Sequence, residues 1–312
     1  MADENWERRV IEQLATEGLL EQQRARRWGI FFKLLTFAFL FAALFVVVAS
    51  YFGTERACPS KCTAMVELKG ELDADGRASA ENIIAGLQAA FKNKGTQGVI
   101  LRIDSPGGSP VEAGEINDEI RRLRGKYPDT PLYAVVGEMC ASGAYYVAVA
   151  ADRIYVDKAS LIGSIGVIFD GFGFVGSLDK LGVERRVLTA GENKDFLDPF
   201  SPMSDKQREY AQRMLDEIHQ QFIATVKEGR GARLKESPEL FSGLVWNGQR
   251  SIELGLADAL GSVGSVARDV IKAEEVVDFT PQENLAERVA RKFGATLGRT
   301  FASAVTGGVR RR

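Results

Sequence analysis

The strongest feature of the hydropathy pattern is an uninterrupted apolar run near the N-terminus. Residues 34–52, LLTFAFLFAALFVVVASYF, include no charged side chain. At a rise of about 1.5 Å per residue, a helix of this length approaches the ~30 Å hydrocarbon core of a bilayer. Trp28 and Tyr51 lie near the two ends of the run, where aromatic rings favour the lipid headgroups. The pattern predicts one transmembrane helix at residues 30–53.

The charges around the run predict its orientation. Basic residues crowd the N-terminal side, whereas only Arg56 and Lys61 follow at a comparable distance. Those on the N-terminal side are Arg24, Arg26, Arg27 and Lys33. Because cytoplasmic flanks are enriched in Lys and Arg, we expect a cytoplasmic N-terminus and an exported bulk of the chain. A cleaved signal peptide fits less well, since the run exceeds an h-region of ~7–15 residues and follows a long charged segment.

The segment before the membrane, residues 1–29, is predicted to be cytoplasmic and amphipathic. Its apolar residues recur roughly as one face of a helix. They are Trp6, Val10, Leu14, Leu19 and Leu20. We expect a helix near the cytoplasmic membrane face; a partner-binding element is the alternative.

Beyond the membrane, short apolar runs alternate with amphipathic ones. The predicted strands are TAMVELKGEL, GVILRID and PLYAVV. The predicted helices between and beside them are SAENIIAGLQAAFKN and PVEAGEINDEIRRLRGKY. Buried strands that alternate with helices are typical of a mainly parallel sheet with covered faces, so the predicted fold class is α/β.

Composition excludes some functions and leaves others open. The chain carries 40 basic and 42 acidic residues, a net charge of -2, and therefore lacks the basic surface that nucleic-acid binding requires. Cys58 and Cys62, in CPSKC, follow the predicted membrane helix on its exported side, where an oxidising compartment permits a disulfide. Two free thiols are the alternative. A zinc site is a weaker interpretation, because further ligands are lacking nearby.

Two loops at strand ends contain candidate catalytic groups. Gly107 and Gly108, in DSPGGSP, have backbone N–H groups that no side chain shields, and such donors suit an oxyanion. A plain tight turn explains them equally well. Ser142 follows the strand PLYAVV and opens an apolar helix, where orphan N–H groups favour developing negative charge. Helix capping is the alternative for this serine. The pairing of the two loops favours a nucleophile and its donors.

A serine nucleophile requires a base. His219, the only histidine, flanks the apolar stripe of a long helical pattern and shows no sign of lying in a cleft, so a Ser-His-Asp triad is not expected. A neutral lysine is the alternative, provided that burial lowers its pKa from the usual ~10.4. The sequence pattern by itself does not identify which lysine is buried.

Five separated blocks carry a resemblance to a known family. They are DSPGG, ASGAYYVAVAADRIYV, SLIGSIGV, GENKDFLDPFSPMS and GLVWNGQRSIELGLADALG. In this order and spacing they resemble the signal peptide peptidase A family, the membrane-bound Ser-Lys peptidases of bacteria. The likeness runs from about residue 65 to residue 261. The chain is similar to the short form, which has one catalytic domain rather than two.

The resemblance implies roles at the matching positions. Ser142 matches the nucleophile and Lys194 the general base, while Ser164 matches the hydroxyl that orients the lysine. The N–H groups of Gly108 and Gly143 are the expected oxyanion donors, and Gly107 shapes the turn. Cys140 is expected to be a small buried apolar residue. No metal or other cofactor is implied.

The resemblance also implies an architecture. The family has the crotonase/Clp-protease-like fold of repeated ββα units, and its serine and lysine come from adjacent domains. For this chain we therefore expect a homo-oligomer with shared sites, an exported peptidase domain at 54–278 and a basic amphipathic tail at 279–312. The tail either lies on the membrane surface or docks on the oligomer.

The implied location is the bacterial inner membrane, and the implied substrates are cleaved signal peptides and other short exported peptides. A second hypothesis is a catalytically silent scaffold of the same fold that binds exported peptides or membrane partners. Acyl-CoA chemistry is disfavoured, because the domain is expected to face away from cytoplasmic CoA.

Overall fold

The computed structural model describes residues 4–51, 58, 60–235 and 237–281. These residues divide into two compact units, one holding the N-terminal helix and the other spanning Arg56–Pro281. The predicted C-terminal tail lies outside the described residues from residue 282 onward.

Helix α1, Glu4–Tyr51, is one continuous helix of 48 residues. Within it, Val10–Phe45 is long and apolar enough to cross a membrane. The predicted transmembrane segment therefore lies in a helix as far as Tyr51, and its last two positions lie outside the described residues. The predicted amphipathic segment is helical from Glu4.

The second unit alternates strands and helices. Its strands are β1 Cys62–Lys69, β2 Thr96–Ser105, β3 Leu132–Ala141, β4 Arg153–Val156, β5 Leu161–Gly163, β6 Val245–Asn247, β7 Ala259–Leu260 and β8 Val276–Asp278. Its α-helices are α2 Ala80–Lys92, α3 Pro110–Lys126, α4 Gly143–Ala148, α5 Val175–Leu181, α6 Asp205–Arg230, α7 Gly248–Glu253 and α8 Val263–Ser265. Short 3₁₀ turns occupy Gly231–Arg233 and Pro238–Phe241, and a π-helical turn occupies Val266–Ile271.

The strands form one sheet with the order β6-β5-β3-β2-β1-β8, and β4 pairs with β3 and β7. Every pair is parallel except β5 with β6. The predicted α/β class with a mainly parallel sheet is confirmed. Parallel strands end at a common edge, so the loops after β2 and β3 lie side by side.

Both faces of the sheet are covered, as the buried apolar strands predict. The larger core packs α2, α3 and α4 against one face, with Ile83, Ile116 and Tyr145 fully buried. On the other face, Val266 and Ala267 pack against residues of β2, β3 and β4. Helices α2, α3, α6 and α8 begin at serine caps: the hydroxyl of Ser79, for example, accepts a hydrogen bond from the Asn82 amide.

Cys58 and Cys62 form a disulfide, which resolves the choice between a bridge and two free thiols. Both residues are buried, and the Cys62 amide donates to the Gly95 carbonyl at 3.0 Å. A Cβ atom at Gly95 would lie 2.7 Å from the Cys58 Sγ. The bridge therefore packs directly on the turn between α2 and β2.

A buried ion pair fixes the end of α6. Arg230 is 1% exposed, and its guanidinium donates two hydrogen bonds to Asp258 and one to the Gly255 carbonyl. Burial by itself raises the pKa of Asp258, but hydrogen bonds from Arg230 and the Ile154 amide outweigh it, so the pKa lies below its usual value. The pair lies beside Tyr145, whose hydroxyl donates to the Leu256 carbonyl within the same segment.

Replacement of Arg230 by methionine is expected to destabilise the domain by about 3 kcal/mol, because it removes the main cationic partner of the largely buried Asp258 carboxylate and leaves it paired with the more exposed Arg233. Because the pKa of Asp258 is lowered, the pair stabilises the fold fully above the usual carboxyl pKa. This contribution is lost as the pH falls through the lower, folded value. The measurement is urea unfolding of the full chain in detergent. Arg250→Met, which removes an exposed pair with Glu253, serves as the control and should change little.

Candidate active site

Ser142 lies at the junction between β3 and α4. Its backbone has φ 52° and ψ -127°, a conformation that is strained for any residue with a Cβ. The Ser142 carbonyl accepts hydrogen bonds from the Tyr145 and Tyr146 amides, which start the helix. Its side chain makes no capping hydrogen bond. The hydroxyl is therefore not used as a helix cap, and the half-buried side chain remains available to a ligand.

The glycine loop after β2 contacts Ser142. A Cβ atom at Gly107 would lie 2.7 Å from both the Ser142 Cβ and the Gly143 nitrogen. Gly107 has φ 99° and Gly108 φ 142°, so both positions require glycine. The Gly107 amide donates to the buried Ser105 hydroxyl at 3.1 Å, which holds the turn. The glycine loop therefore packs so closely against Ser142 and Gly143 that no side chain fits at Gly107.

Two backbone amides without a backbone acceptor in the bridge or the helix lie close to Ser142, those of Gly108 and Gly143. The Leu72 amide donates to the Gly107 carbonyl, and the Leu72 carbonyl accepts from the Ser109 amide. In this parallel bridge Leu72 therefore uses the two residues that flank Gly108, and the N–H of Gly108 itself faces away from Leu72. Gly143 is the first residue of α4, and its N–H has no acceptor within the helix. A Cβ atom at Gly143 would lie 3.5 Å from the Gly108 nitrogen. The two amides are therefore neighbours.

Ser164 lies next to Ser142 across the sheet. Ala141 pairs with Gly163, and the Ser142 amide donates to the Gly163 carbonyl at 2.9 Å. Ser164 follows directly, with φ 52°, and its amide donates to the Leu244 carbonyl at 2.7 Å. Among the expected site residues, the structure thus brings together both serines and the three glycines.

Lys194 does not join this group within one chain. It lies in an exposed turn, where its amide donates to the Gly191 carbonyl at 3.2 Å. Within the described part of a single chain, its side-chain amine forms no hydrogen bond with Ser142 or Ser164. From the sequence we expect Lys194 of a second copy to supply the base. That expectation stays a prediction, because it concerns two chains and the structure describes one.

The segment around Lys194 exposes many large apolar side chains. The most exposed are Ile168, Phe172, Leu181 and Leu188, at 84%, 80%, 74% and 100%. Apolar surface of this extent is typical of a protein-protein or membrane contact. We call residues 168–203 the apolar arm.

Cys140 lies two residues before Ser142 and is buried, as predicted. Burial raises the pKa of its thiol, so Cys140 does not compete with Ser142 as a nucleophile.

His219 is half-buried in α6, and its Nε2 lies 3.1 Å from the Ile165 carbonyl oxygen, next to Ser164. The helical pattern placed His219 beside the apolar stripe but gave no sign of this contact.

Comparisons with known proteins agree with a peptidase. The profile described as Peptidase family S49 matches residues 126–277. A Synechocystis protein named "Putative protease slr0021" is 32% identical over 202 residues, which cover 65% of this chain and 70% of the relative. An Enterococcus faecium protein named "Putative signal peptide peptidase SppA" is 30% identical over 64% of this chain and 58% of its own length.

A third relative has a different name. The Na(+)/H(+) antiporter NhaA of Brucella melitensis is 41% identical over 216 residues, which cover 68% of this chain. The aligned region spans 29% of that relative's length.

Proposed function

This chain belongs to peptidase family S49, and we propose that it is a membrane-anchored serine endopeptidase that uses a Ser-Lys dyad to degrade cleaved signal peptides and other short exported peptides. One observation carries the proposal. The Ser142 side chain makes no capping bond at the start of α4, and its Cβ packs against the Gly107–Gly108 loop.

Ser142 is the proposed nucleophile. Its strained backbone lies at the start of α4, and its Cβ contacts the Gly107–Gly108 turn. The Gly108 and Gly143 amides are the proposed oxyanion donors, since both N–H groups are available where negative charge develops during attack on a carbonyl. Helix α4 adds the partial positive charge of its first turn.

Lys194 of a neighbouring copy is the proposed base. An exposed ammonium does not abstract a serine proton at neutral pH, so the lysine has to be buried to become a competent base. The apolar arm that carries Lys194 gives the reason for such burial, because packing it against a second copy removes apolar surface from water. Ser164, beside Ser142, is the proposed hydroxyl that orients the incoming amine.

The reaction then proceeds through an acyl-enzyme. Neutral Lys194 takes the Ser142 proton as the oxygen attacks the peptide carbonyl, and the resulting ammonium protonates the leaving amine. Water, deprotonated by the same lysine, attacks the ester and releases the peptide acid. The two glycine amides hold the oxyanion in both steps.

The proposed location is the exported face of the bacterial inner membrane. The α1 span and its basic N-terminal flank support anchoring with a cytoplasmic N-terminus. The Cys58–Cys62 bridge supports an oxidising compartment for the domain. The choice of signal peptides as substrates rests on the name of the Enterococcus relative.

A serine-directed fluorophosphonate probe tests the proposal. Treatment of the detergent-solubilised full chain is expected to modify Ser142, because attack on phosphorus requires the same activated oxygen and oxyanion donors as attack on a carbonyl. Peptide mapping by mass spectrometry locates the adduct.

The control variants distinguish an activated serine from an accessible one. Ser142→Ala should lose the adduct, whereas Ser262→Ala, which alters a serine whose hydroxyl does cap a helix, should retain it. If the wild-type chain gains no adduct and hydrolyses no peptide, the silent-scaffold hypothesis replaces the peptidase.

A further inference from the structure

We propose that His219 is a positioning residue that fixes Ser164, and through it the general base, by holding the backbone immediately after that serine. This inference rests on the proposed function and adds a role for a residue on a different helix. It assigns no proton transfer to the histidine.

Three hydrogen bonds hold consecutive residues of the segment that contains Ser164. The Gly163 carbonyl accepts from the Ser142 amide at 2.9 Å, and the Ser164 amide donates to the Leu244 carbonyl at 2.7 Å. The Ile165 carbonyl lies 3.1 Å from the His219 Nε2. Of these three contacts, the one with His219 is the one made by a side chain.

The backbone of Ser164 needs such restraint. Its φ of 52° lies in a region that costs a residue with a Cβ on the order of 1–3 kcal/mol, and the conformation persists only where the surroundings impose it. A Cβ atom at Gly163 would lie 2.8 Å from the carbonyl oxygen of Leu244, the residue before β6. This close contact prevents the backbone at Gly163 from shifting toward Leu244. The His219 contact holds the next residue, through the Ile165 carbonyl.

The contact also defines the state of the imidazole. A carbonyl oxygen only accepts hydrogen bonds, so Nε2 carries the proton and donates it. The neutral ε-tautomer and the imidazolium both provide this donor, so the restraint is kept whether or not the ring is charged. Because Nε2 donates to Ile165, it is not available to deprotonate Ser142.

Helix α6 provides a rigid base for this side chain. Phe222 and Val226, one and two turns further along, are buried in the main core, and Arg230 ends the helix in its ion pair with Asp258. The position of His219 relative to Ser164 is therefore set by packed elements rather than by a mobile loop.

The test compares His219→Ala, His219→Gln and the wild type in a peptidase assay on the full chain. We expect His219→Ala to lower kcat by about three- to tenfold, the loss typical of one hydrogen bond, with KM unchanged because His219 does not touch the peptide. Glutamine places an N–H donor near the position of Nε2, so His219→Gln should recover most of the loss. Gln220→Ala, an exposed neighbour on the same helix, is the matched control and should behave as wild type.

A double-mutant cycle with Ser164→Ala separates positioning from a general effect on folding. If His219 acts through Ser164, His219→Ala should cause no further loss in the Ser164→Ala background. Independent, multiplicative losses overturn the inference, as does wild-type activity in His219→Ala. A wild-type chain that neither hydrolyses peptides nor reacts with the fluorophosphonate overturns the proposed function instead, and this inference with it.

Discussion

An equal mixture of Ser142→Ala and Lys194→Ala chains is expected to recover about a quarter of wild-type peptidase activity, although each variant alone loses activity by a factor of about 10³ or more. In a closed oligomer with shared sites, each site takes its serine from one chain and its lysine from the next. Random mixing gives an intact pair at one site in four. The apolar arm is the physical reason to expect such an assembly.

The measurement requires mixed oligomers. The two variants are co-expressed with different affinity tags, purified through both tags in detergent, and assayed beside each homogeneous variant. Lys206→Ala is the matched control, since Lys206 is an exposed lysine near the same segment and pairs with Glu192 at 2.8 Å. That variant should retain activity.

The outcomes separate the parts of the proposal. Mixed oligomers that stay inert contradict a site shared between chains. Activity in homogeneous Lys194→Ala contradicts the assignment of the base, whatever the oligomeric state. If the mixture recovers peptidase activity and Lys206→Ala is active, Lys194 is identified as the residue that one copy contributes to the active site of its neighbour.

The elements and the loop pair could be predicted from the sequence because their signals are local. Short apolar runs gave β1, β2 and β3, amphipathic segments gave α2 and α3, and the parallel class followed from their alternation. Ser142 and the Gly107–Gly108 loop followed as candidates from the same reasoning, since parallel strands place successive loops at one edge, whereas the resemblance supplied their roles. The structure added that the Ser142 side chain makes no capping hydrogen bond, which argues against a helix-capping role for this serine.

Other features depend on contacts that no local pattern contains. His219 meets Ile165 across 54 residues of sequence, so its helical periodicity indicates which face it lies on but not which loop it meets. Lys194 is an ordinary exposed lysine within one chain, and its expected role came from resemblance because its burial would depend on a second copy. The disulfide was one of three interpretations of the two cysteines, beside free thiols and a zinc site, since a spacing of four residues permits a bridge without requiring it.

Replacement of Gly108 by alanine is expected to lower kcat by about 10² to 10³, the loss typical of removing one oxyanion donor. A Cβ atom at Gly108 would collide with the Leu72 carbonyl oxygen, and the φ of 142° is itself strained for alanine. The loop must therefore move, which takes the Gly108 amide away from the Gly143 amide. The measurement is kcat and KM of the full chain, with circular dichroism and thermal unfolding to verify the fold.

Gly114→Ala provides the matched control for this change. Gly114 lies in α3, six residues further along, and a Cβ atom there would meet nothing within 4 Å. Alanine in a helix interior is favoured over glycine by roughly 1 kcal/mol, so this variant should be at least as stable as wild type and equally active. A Gly108→Ala protein that folds and keeps wild-type kcat would show that the amide is not an oxyanion donor, and the loop would then be only a tight turn beside the serine.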